Sequence, residues 1–361
     1  MTDRFDIAIV GAGMAGASLA AAIAGHSSVI LLEAEDRPGY HATGRSAAFW
    51  TESYGGPMIQ PLTASSGPFL REGGFLSARG ALTIGRDGQG AAVDTFVQEY
   101  AALGVRVNRM NRAELEVYIP GLRPGWRQGA LEPSCADIDV AGLHQHYLAL
   151  ARREGADLRT RSQLVAARRD AGGWQLELAD GAKLSCDILV NAAGAWADEV
   201  ARMAGVTPLG IAPLRRTIAQ LAVSPPAPAD LPLVLDIAER FYFKPEVGAV
   251  WLSPHDEAPS APCDAAPEEI DVALAIERFG EVVDWRVDRV VHRWAGLRSF
   301  APDRLPVYGF DTHEARFFWF AGQGGFGIQT APAAAAIGAA LLTGKDIAPV
   351  NPQPFAPSRF S

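Results

Sequence analysis

The chain has 361 residues, of which 48% are hydrophobic and 20% charged, proportions typical of a globular enzyme. This length favours one large domain or two interlocked domains over a single small core. The formal net charge of −9 argues against a nucleic-acid partner, because phosphate binding needs clustered lysines and arginines, and it disfavours docking on anionic lipid.

Three cysteines, Cys135, Cys186 and Cys263, are scattered along the chain with no CxxC pair. This pattern is typical of a reducing compartment and predicts neither a disulfide scaffold nor a cysteine-type zinc site. A strand pattern starts within about five residues of Met1, which leaves no room for a secretory signal. The apolar run Ala331–Leu342 is shorter than the roughly 20 residues that cross a bilayer. We therefore expect a cytoplasmic protein with no membrane span and no bound metal.

The first elements form a strand–helix–strand unit. Phe5–Val10 is predicted as a buried parallel strand, because it is short and rich in apolar and β-branched residues. The turn Gly11–Gly16 leads into a helix of small residues at Ala15–Ala24, and Val29–Leu32 is a second apolar strand followed by Glu33. This order predicts a βαβ unit.

The middle of the chain mixes helices and strands. From Thr43 to about Asp137 the periodicity is weak, with helices predicted only at Ala91–Leu103 and Arg112–Glu116. The clearer elements downstream are a helix at Ala141–Glu154, a strand region from Asp157–Arg161, hairpin strands at Trp174–Leu178 and Lys183–Leu184, and a buried strand at Ile188–Val190.

A second module follows these elements. Proline-rich loops at Ser224–Pro232 and Pro254–Pro267 flank a predicted strand pair at Phe241–Lys244 and Val250–Leu252. The chain then returns through a buried strand at Phe317–Phe320 to a glycine-rich turn and a last helix.

These patterns predict an α/β (α+β) fold with two domains. A Rossmann-like cofactor domain is expected to comprise residues 1–48, 138–207 and 294–361. An antiparallel-sheet substrate domain, inserted into it, is expected to comprise residues 49–137 and 208–293.

The turn after the first strand carries a Gly-x-Gly-x-x-Gly pattern. Gly11 permits the tight turn, Gly13 lets a pyrophosphate approach the backbone, and Gly16 lets helix and strand pack closely. Glu33, about 20 residues on, can accept hydrogen bonds from ribose hydroxyls, and its charge disfavours a 2′-phosphate. The predicted cofactor contacts of this unit are Gly11, Ala12, Gly13, Met14, Ala15, Gly16, Glu33 and Ala34.

Two further segments indicate FAD rather than NAD. Residues 43–48 combine small side chains and hydroxyls that can pack beside a flavin and its pyrophosphate. Residues 323–330 form a second glycine-rich turn, whose N–H groups and helix dipole suit the electron-rich edge of an isoalloxazine ring. The predicted contacts in these segments are Thr43, Gly44, Arg45, Ser46, Ala47, Ala48, Gly324, Gly325, Phe326, Gly327, Ile328, Gln329 and Thr330.

Longer stretches of the chain carry a family resemblance. They read GAGMAGAS, PGYHATGRSAA, ADIDVAGLHQHYL, LVNAAGAWAD, PLRRT, FYFKP, WAGLRSF and GQGGFGIQT. Together they resemble the D-amino acid oxidase and glycine oxidase (DAO) family through nearly the whole chain, and within it the bacterial D-arginine dehydrogenases most. The resemblance implies a glutathione reductase-type fold with noncovalently bound FAD, and it adds the cofactor contacts Val165, Ala193, Gly194 and Trp196.

The resemblance also implies substrate-binding residues. Arg216 and Arg298 match arginines that hold the substrate carboxylate, which suits guanidinium groups because each donates two parallel hydrogen bonds. Arg298 is expected to touch the cofactor too, and Arg215 is the alternative for the role of Arg216. Tyr242 and Tyr54 match tyrosines that bind the same carboxylate or close the site. The expected pocket residues are Phe49, Thr51, Ala81, Gly296 and Gln329.

Two positions depart from the arginine-specific branch. Ala81 stands where that branch has a pocket carboxylate, and Phe49 stands where it has a histidine near the flavin. Losing an acid and gaining an aromatic ring makes the pocket more apolar, so we expect neutral or hydrophobic substrates. Glu52 or Glu72 can restore the negative charge from another direction, which leaves this preference open.

These residues predict oxidative deamination of amino acids to a 2-oxo acid and ammonia, with D-enantiomers implied by the resemblance. Holding the carboxylate aims the α-hydrogen at flavin N5, so that hydride leaves as an imine forms. A glycine or sarcosine oxidase is the alternative enzyme, and a non-catalytic flavin-binding redox sensor or subunit is the alternative of another class. The electron acceptor, O2 or a quinone, stays open. His41 is expected to pack beside the flavin without a covalent link.

Overall fold

Helices and strands alternate along the computed structural model, which describes residues 3–345 and 348–360. In those ranges no helix is both long enough and apolar enough to cross a membrane. The α-helices are α1 (Met14–Ile23), α2 (Gln60–Glu72), α3 (Gly90–Ala102), α4 (Arg112–Tyr118), α5 (Val140–Arg153), α6 (Ala197–Met203), α7 (Glu269–Gly280) and α8 (Ala331–Thr343).

The strands form two large sheets and a small one, made of β3, β8 and β4, so the predicted mixed α/β class is confirmed. The strands are β1 (Asp3–Val10), β2 (Val29–Leu32), β3 (Phe49–Trp50), β4 (Leu76–Ala78), β5 (Ala81–Arg86), β6 (Asn108–Asn111), β7 (Trp126–Glu132), β8 (Ala136–Ile138), β9 (Asp157–Arg159), β10 (Leu164–Asp170), β11 (Gly173–Leu178), β12 (Lys183–Asn191), β13 (Ala212–Ser224), β14 (Leu233–Asp236), β15 (Tyr242–Glu246), β16 (Ala249–Ser253), β17 (Ala258–Pro259), β18 (Arg286–Phe300), β19 (Val307–Phe310), β20 (Phe317–Ala321) and β21 (Gln323–Gly324).

The first large sheet contains the N-terminal βαβ unit. In it β1 lies between the parallel strands β2 and β12, and β9 extends the sheet beyond β2. The first half of β12 pairs with antiparallel β11, and its second half pairs with parallel β20, which pairs in turn with β19. The end of β1 and the whole of β2 are buried, as expected for parallel strands covered on both faces.

Helices cover both faces of this sheet. On one face α1 packs against α5 and α8, with Leu19, Leu143 and Ile337 fully buried among small side chains. On the other face α6 packs over a second core that contains Trp174 and Trp319. The result is a layered arrangement in which the glycine turn follows β1 at one edge of the sheet.

The second large sheet is antiparallel except for one strand pair. Its order is β21-β18-β13-β16-β15-β14-β5-β7-β6, with β14 and β5 parallel and β17 joined to β13. Its longest strands, β13 and β18, have 13 and 15 residues and pair along their length. Helix α7 covers one face of the sheet, where Phe243, Phe279 and Trp285 pack edge to face.

The register of β13 and β18 places two arginines on the face opposite α7. Arg216 pairs with Gly296, and Leu214 pairs with Arg298. Because side chains alternate along a strand and directly opposed residues share a face, Arg216 and Arg298 project from the same face as diagonal neighbours. Arg215 projects from the other face, toward α7.

Most elements with a clear sequence pattern are confirmed, with ends shifted by one or two residues. One prediction is wrong in detail, because the strands predicted separately at Lys183–Leu184 and Ile188–Val190 are the single strand β12. Ser185 and Cys186 continue its pairing with β11 and β1, so the strand does not break between them.

The sequence patterns do not predict α2, α6 or α7, nor the long strands β13 and β18. Helix α2 begins with a proline near its N-terminus and contains Pro68, a residue that normally ends a helix because it lacks the N–H group. Helix α7 begins directly after the second proline-rich loop, where the composition suggests irregular structure. Tertiary packing decides these elements.

The variant Gly16→Ala tests the close approach between the glycine turn and α1. A Cβ at Gly16 would lie 1.8 Å from the carbonyl oxygen of Gly11, a backbone atom held in the turn. We expect the free energy of unfolding, measured by urea titration, to fall by about 3 kcal/mol. Gly25→Ala is the matched control, since its Cβ would meet only the Glu154 carboxylate at 3.6 Å. Equal stability of the two variants would contradict this packing.

Candidate active site

An elongated cavity of about 420 Å³ connects the glycine turn with the arginine-bearing face of the second sheet. At one end it is lined by Gly11, Gly13 and Glu33, and at the other end by Arg216 and Arg298. It therefore opens at the carboxyl ends of parallel strands, where α/β folds bind nucleotides, and extends to two cationic side chains.

Backbone groups form the nucleotide end of the cavity. Helix α1 begins at Met14 with no side-chain cap, and Gly13, Met14 and Ala15 line the cavity. Gly11 has a φ of +99°, which favours glycine there. The backbone N–H of Met14 donates to Thr43 Oγ1 at 3.0 Å, which ties this turn to the segment 43–48. The N-terminus of α1 thus presents N–H groups and a positive dipole end to a phosphate.

The carboxylate of Glu33 is fixed at the end of β2. It accepts hydrogen bonds from the backbone N–H groups of Ala12 and Glu35, each at 3.0 Å. Burial raises the pKa of Glu33, and those two N–H groups and His41 act in the opposite direction. His41 itself contacts the Glu35 carboxylate at 2.9 Å. Each oxygen of Glu33 keeps acceptor capacity for a ribose hydroxyl.

Arg45 joins the segment 43–48 to the proline-rich loop of residues 254–267. Its guanidinium donates to the Ala265 carbonyl at 2.8 Å and to the Ala295 carbonyl at 3.1 Å, and it forms an ion pair with Asp264. The Tyr40 hydroxyl donates to Asp264 at 3.0 Å. These contacts hold the loop against the cofactor end of the cavity.

The second glycine-rich turn, residues 323–330, packs against the end of the cavity that is lined by Arg216 and Arg298. A Cβ at Gly325 would lie 2.6 Å from Arg298 Nη1 and 2.7 Å from the Tyr54 hydroxyl oxygen, so a side chain there would push both groups from their positions. The Gln329 amide donates to Thr63 Oγ1 at 2.9 Å and to the Tyr54 carbonyl at 3.2 Å. The turn is therefore fastened both to α2 and to the segment that carries Tyr54.

Arg216 and Arg298 form a pair of buried cations, called the clamp below. Their side chains are 6% and 13% exposed, and both line the cavity. Arg298 Nη1 donates to the Tyr54 hydroxyl at 2.9 Å. In the described structure, Arg216 Nη1 and Nη2 and Arg298 Nε are buried without a hydrogen-bond acceptor. Among the described residues, only Arg216 Nη2 of these groups has a carboxylate nearby, Glu257 Oε1 at 3.5 Å, so the set is suited to an anionic ligand such as a carboxylate.

Two acidic residues that sequence reasoning missed hold the clamp from behind. Arg216 Nε donates to the Asp256 carbonyl at 2.9 Å, and Arg298 Nη2 donates to Glu257 Oε1 at 2.6 Å. Arg304 also donates to Glu257 Oε1, at 2.8 Å. Partial burial acts to raise the pKa of Glu257, but the hydrogen bond from Arg304 and the nearby arginine charges hold it below its usual value.

The alternative arginine, Arg215, lies outside the cavity. It forms ion pairs with Glu268 at 2.5 Å and with Asp271 at 2.9 Å, on the face covered by α7. Of the two neighbouring arginines, Arg216 is therefore the one that lines the cavity.

Aromatic rings form the wall beside the clamp. Phe49 meets Tyr54 and Tyr242 edge to face, with centroids 5.2 and 5.7 Å apart. Burial raises the pKa of Tyr242, and burial together with the charges of Arg216 and Arg298 lowers the pKa of His255, behind Tyr242, to about 2. The tyrosine and the histidine are thus neutral near pH 7.

Glu132 is a buried carboxylate that anchors the turn before Tyr54, and sequence reasoning missed it. It is 1% exposed and accepts hydrogen bonds from Thr51 Oγ1 at 2.7 Å, from the backbone N–H of Glu52 at 2.9 Å, and from the Ser53 hydroxyl. Four such hydrogen bonds from residues 51–53, with a fifth from the Ser134 hydroxyl at 3.2 Å, fix the backbone of the turn and so aim the Tyr54 hydroxyl at the clamp.

Several predicted site residues support the cavity without lining it. Val165 is 44% exposed, and its neighbour Leu164 lines the cavity instead. Ala81 is 1% exposed and packs behind Phe49 and Tyr242. The other predicted residues outside the cavity lining are Ala12, Gly16, Gly44, Thr51, Phe326 and Thr330. The predicted residues that do line it are Gly11, Gly13, Met14, Ala15, Glu33, Ala34, Phe49, Thr43, Arg45, Ser46, Ala47, Ala48, Tyr54, Ala193, Gly194, Trp196, Arg216, Tyr242, Gly296, Arg298, Gly324, Gly325, Gly327, Ile328 and Gln329.

The donor set fits a flavin dinucleotide. A Cβ at Gly11 would lie 2.5 Å from the Ala192 carbonyl oxygen, so glycine lets the turn pack against the end of β12 and leaves its backbone lining the cavity. Glu33 faces the same end, and a second glycine-rich turn faces the other. Across residues 3–345 and 348–360, no group of three or more His, Cys, Asp or Glu side chains is placed to hold a metal ion.

Two curated proteins with detectable similarity match parts of the chain. The hydrogen cyanide synthase subunit HcnC of Pseudomonas aeruginosa is 26% identical over 271 residues, which cover 73% of this chain and 63% of that protein. Glycine oxidase of Pseudomonas putida is 27% identical over 252 residues, which cover 66% of this chain and 64% of that protein. The chain thus matches less than two thirds of the length of each relative.

Solved structures and a family model extend the comparison over the whole fold. Glycine oxidase from Geobacillus kaustophilus superposes with a TM-score of 0.87 at 22% identity, covering 99% of both chains. L-proline dehydrogenase from P. horikoshii superposes with a TM-score of 0.87 at 19% identity, covering 100% of this chain and 98% of that chain. These identities support the shared fold alone. The family model described as FAD dependent oxidoreductase (DAO) matches residues 6–341, so the chain belongs to that family and its cofactor is FAD.

Proposed function

We propose that this chain catalyses the FAD-dependent oxidative deamination of amino acids, with D-amino acids as its substrates. The clamp carries the proposal, because Arg216 and Arg298 are buried cations with unpaired N–H groups beside the cavity. A carboxylate supplies the acceptors that those groups lack. The D-enantiomer preference is supported by the resemblance of the sequence motifs to the D-arginine-specific branch.

The side chains bind and orient the substrate. Arg216 and Arg298 hold the carboxylate, and the Tyr54 hydroxyl, which accepts a hydrogen bond from Arg298, is free to donate its own proton to the same group. Bound FAD supplies the hydride acceptor. Loss of hydride from Cα and of a proton from the amine leaves an imine, which water hydrolyses to the 2-oxo acid and ammonia. The aromatic wall excludes water from the α-carbon while hydride leaves.

The space for the substrate side chain favours neutral or hydrophobic groups. Within the described residues, the acids that line the cavity are Glu33, Glu35 and Glu199, and none of them contacts the clamp. Glu52 and Glu72 do not line the cavity. A basic side chain would therefore lose hydration beside Phe49 and Tyr242 without gaining an ion pair.

A glycine or sarcosine oxidase is the second candidate function. It is favoured by the similarity to glycine oxidase of Pseudomonas putida, and it would use the same clamp around a smaller substrate. A flavin-binding sensor without turnover is less well supported, since it would not need a carboxylate clamp.

For the electron acceptor we propose O2 or a quinone. The scattered free cysteines support a cytoplasmic location.

We also propose the two-domain division predicted from the sequence. It is supported by the first large sheet, whose strands all fall within residues 1–48, 138–207 and 294–361. In the second large sheet, β18 runs across the proposed boundary at residue 294, so the two proposed domains share β18. Strand β21 of the same sheet lies wholly after that boundary.

A substrate panel tests the proposed reaction. The holoenzyme is mixed anaerobically with D-amino acids, L-amino acids, glycine and sarcosine, and the loss of the yellow flavin absorbance band is followed. We expect bleaching by neutral and hydrophobic D-amino acids, with D-phenylalanine faster than D-arginine. Bleaching by glycine and sarcosine alone would favour the second candidate, and a band unchanged by every compound would refute both enzymes.

The variant Arg298→Met tests the clamp. Removing one partner of a buried charged contact typically costs about 3 kcal/mol, so we expect flavin reduction to slow by about 100-fold or more while FAD stays bound. Arg215→Met is the matched control, because this arginine lies on the other sheet face and pairs with Asp271. Slowing in Arg215→Met but not in Arg298→Met would reverse the assignment.

The variant Glu132→Gln tests the anchoring of the turn before Tyr54. An amide replaces an acceptor oxygen by a donor facing the Thr51 and Ser53 hydroxyls, so we expect stability to fall by about 1–3 kcal/mol. We also expect KM for the best D-amino acid to rise about tenfold, with kcat and FAD content changing less, as the Tyr54 hydroxyl loses its position. Glu116→Gln, in an exposed ion pair with Arg112, is the control. A loss of stability with unchanged KM would leave Glu132 a purely structural role.

A further inference from the structure

The clamp belongs to a larger group of charges, called the clamp network below. Glu257 Oε1 lies 2.6 Å from Arg298, 2.8 Å from Arg304 and 3.5 Å from Arg216. Asp256 Oδ1 lies 3.8 Å from Arg216 Nε. Three guanidinium groups thus face two carboxylates, which leaves the clamp network with one net positive charge.

Glu257 contacts the clamp from outside the cavity lining. Arg216 and Arg298 line the cavity, whereas Glu257, on the loop between β16 and β17, is outside the lining and 32% exposed. Its contacts occupy Nη2 of Arg298 and leave Nε of that group, and Nη1 of Arg216, without an acceptor. A ligand carboxylate can therefore bind Arg298 Nε and Arg216 Nη1 without displacing Glu257.

We propose that Glu257 is a positioning and specificity residue that limits the clamp to a single carboxylate group. Its hydrogen bond fixes the Arg298 guanidinium, and its negative charge lowers the attraction of the clamp network for anions. One net positive charge balances a monocarboxylate, so that the site discriminates against dicarboxylates and releases a monocarboxylate product. This inference rests on the proposed function, because it assumes that the clamp binds carboxylates.

The test measures carboxylate binding to the holoenzyme without turnover. Sodium acetate and sodium malonate are titrated at fixed ionic strength, and the change in the flavin absorbance spectrum gives each Kd. In the wild type we expect acetate to bind more tightly than malonate. In Glu257→Gln the net charge of the clamp network rises by one, so we expect the acetate Kd to fall about tenfold and the malonate Kd to fall further. The ratio of the malonate Kd to the acetate Kd is therefore expected to fall in this variant.

Controls separate this inference from the proposed function. Glu314→Gln removes the same charge from an ion pair with Arg169, and we expect both Kd values to match the wild type. An unchanged or raised acetate Kd in Glu257→Gln with normal FAD content would overturn the inference alone. If that variant does not fold, tighter binding of malonate than acetate by the wild type overturns it. If the wild type binds neither anion, the clamp assignment and the proposed function fail as well.

Discussion

The candidate site depends on the register between β13 and β18. Because Arg216 pairs with Gly296 and Arg298 lies two residues further along the same strand, both cations project from one sheet face. A slip of one residue in either strand would turn its arginine toward α7 and into an aromatic core. The same register places Gly296 against the segment 43–48, since a Cβ at Gly296 would lie 3.2 Å from Arg45 Cβ. One strand pair therefore positions the clamp and places it beside the segment 43–48.

The loop of residues 254–267 joins the two ends of the cavity. At its start Asp256 and Glu257 hold the clamp, and near its end Asp264 and Ala265 hold Arg45. Buried guanidinium groups need such partners, because an unpaired charge in the interior is costly. The loop thus orients the two arginines proposed to bind the substrate, and it also holds Arg45 in the segment 43–48. A change in the loop affects both ends, although its own sequence carries no recognisable motif.

Sequence reasoning succeeded where the signal is local. The glycine turn and Glu33 belong to a nucleotide-binding motif, and the two arginines stand in stretches that carry the family resemblance; the structure brings all of them to one cavity. It failed where partners are distant in the chain. Glu132 acts on a turn 80 residues earlier, and Glu257 reaches Arg298 across 41 residues, so neither carboxylate has a motif to identify it. Helix α2 was missed for a related reason, since its packing against α8 outweighs its interior proline.

The two positions that depart from the arginine-specific branch act on the pocket at different depths. Phe49 lines the cavity, whereas Ala81 is 1% exposed and packs in one cluster with Tyr242. A carboxylate at position 81 would be buried behind Phe49, where the loss of hydration is costly unless hydrogen-bond donors or a cation compensate it. The aromatic ring at position 49 and the missing acid at position 81 both make this region apolar, and the preference for neutral or hydrophobic side chains in the proposed function follows from the cost of desolvating a charge there.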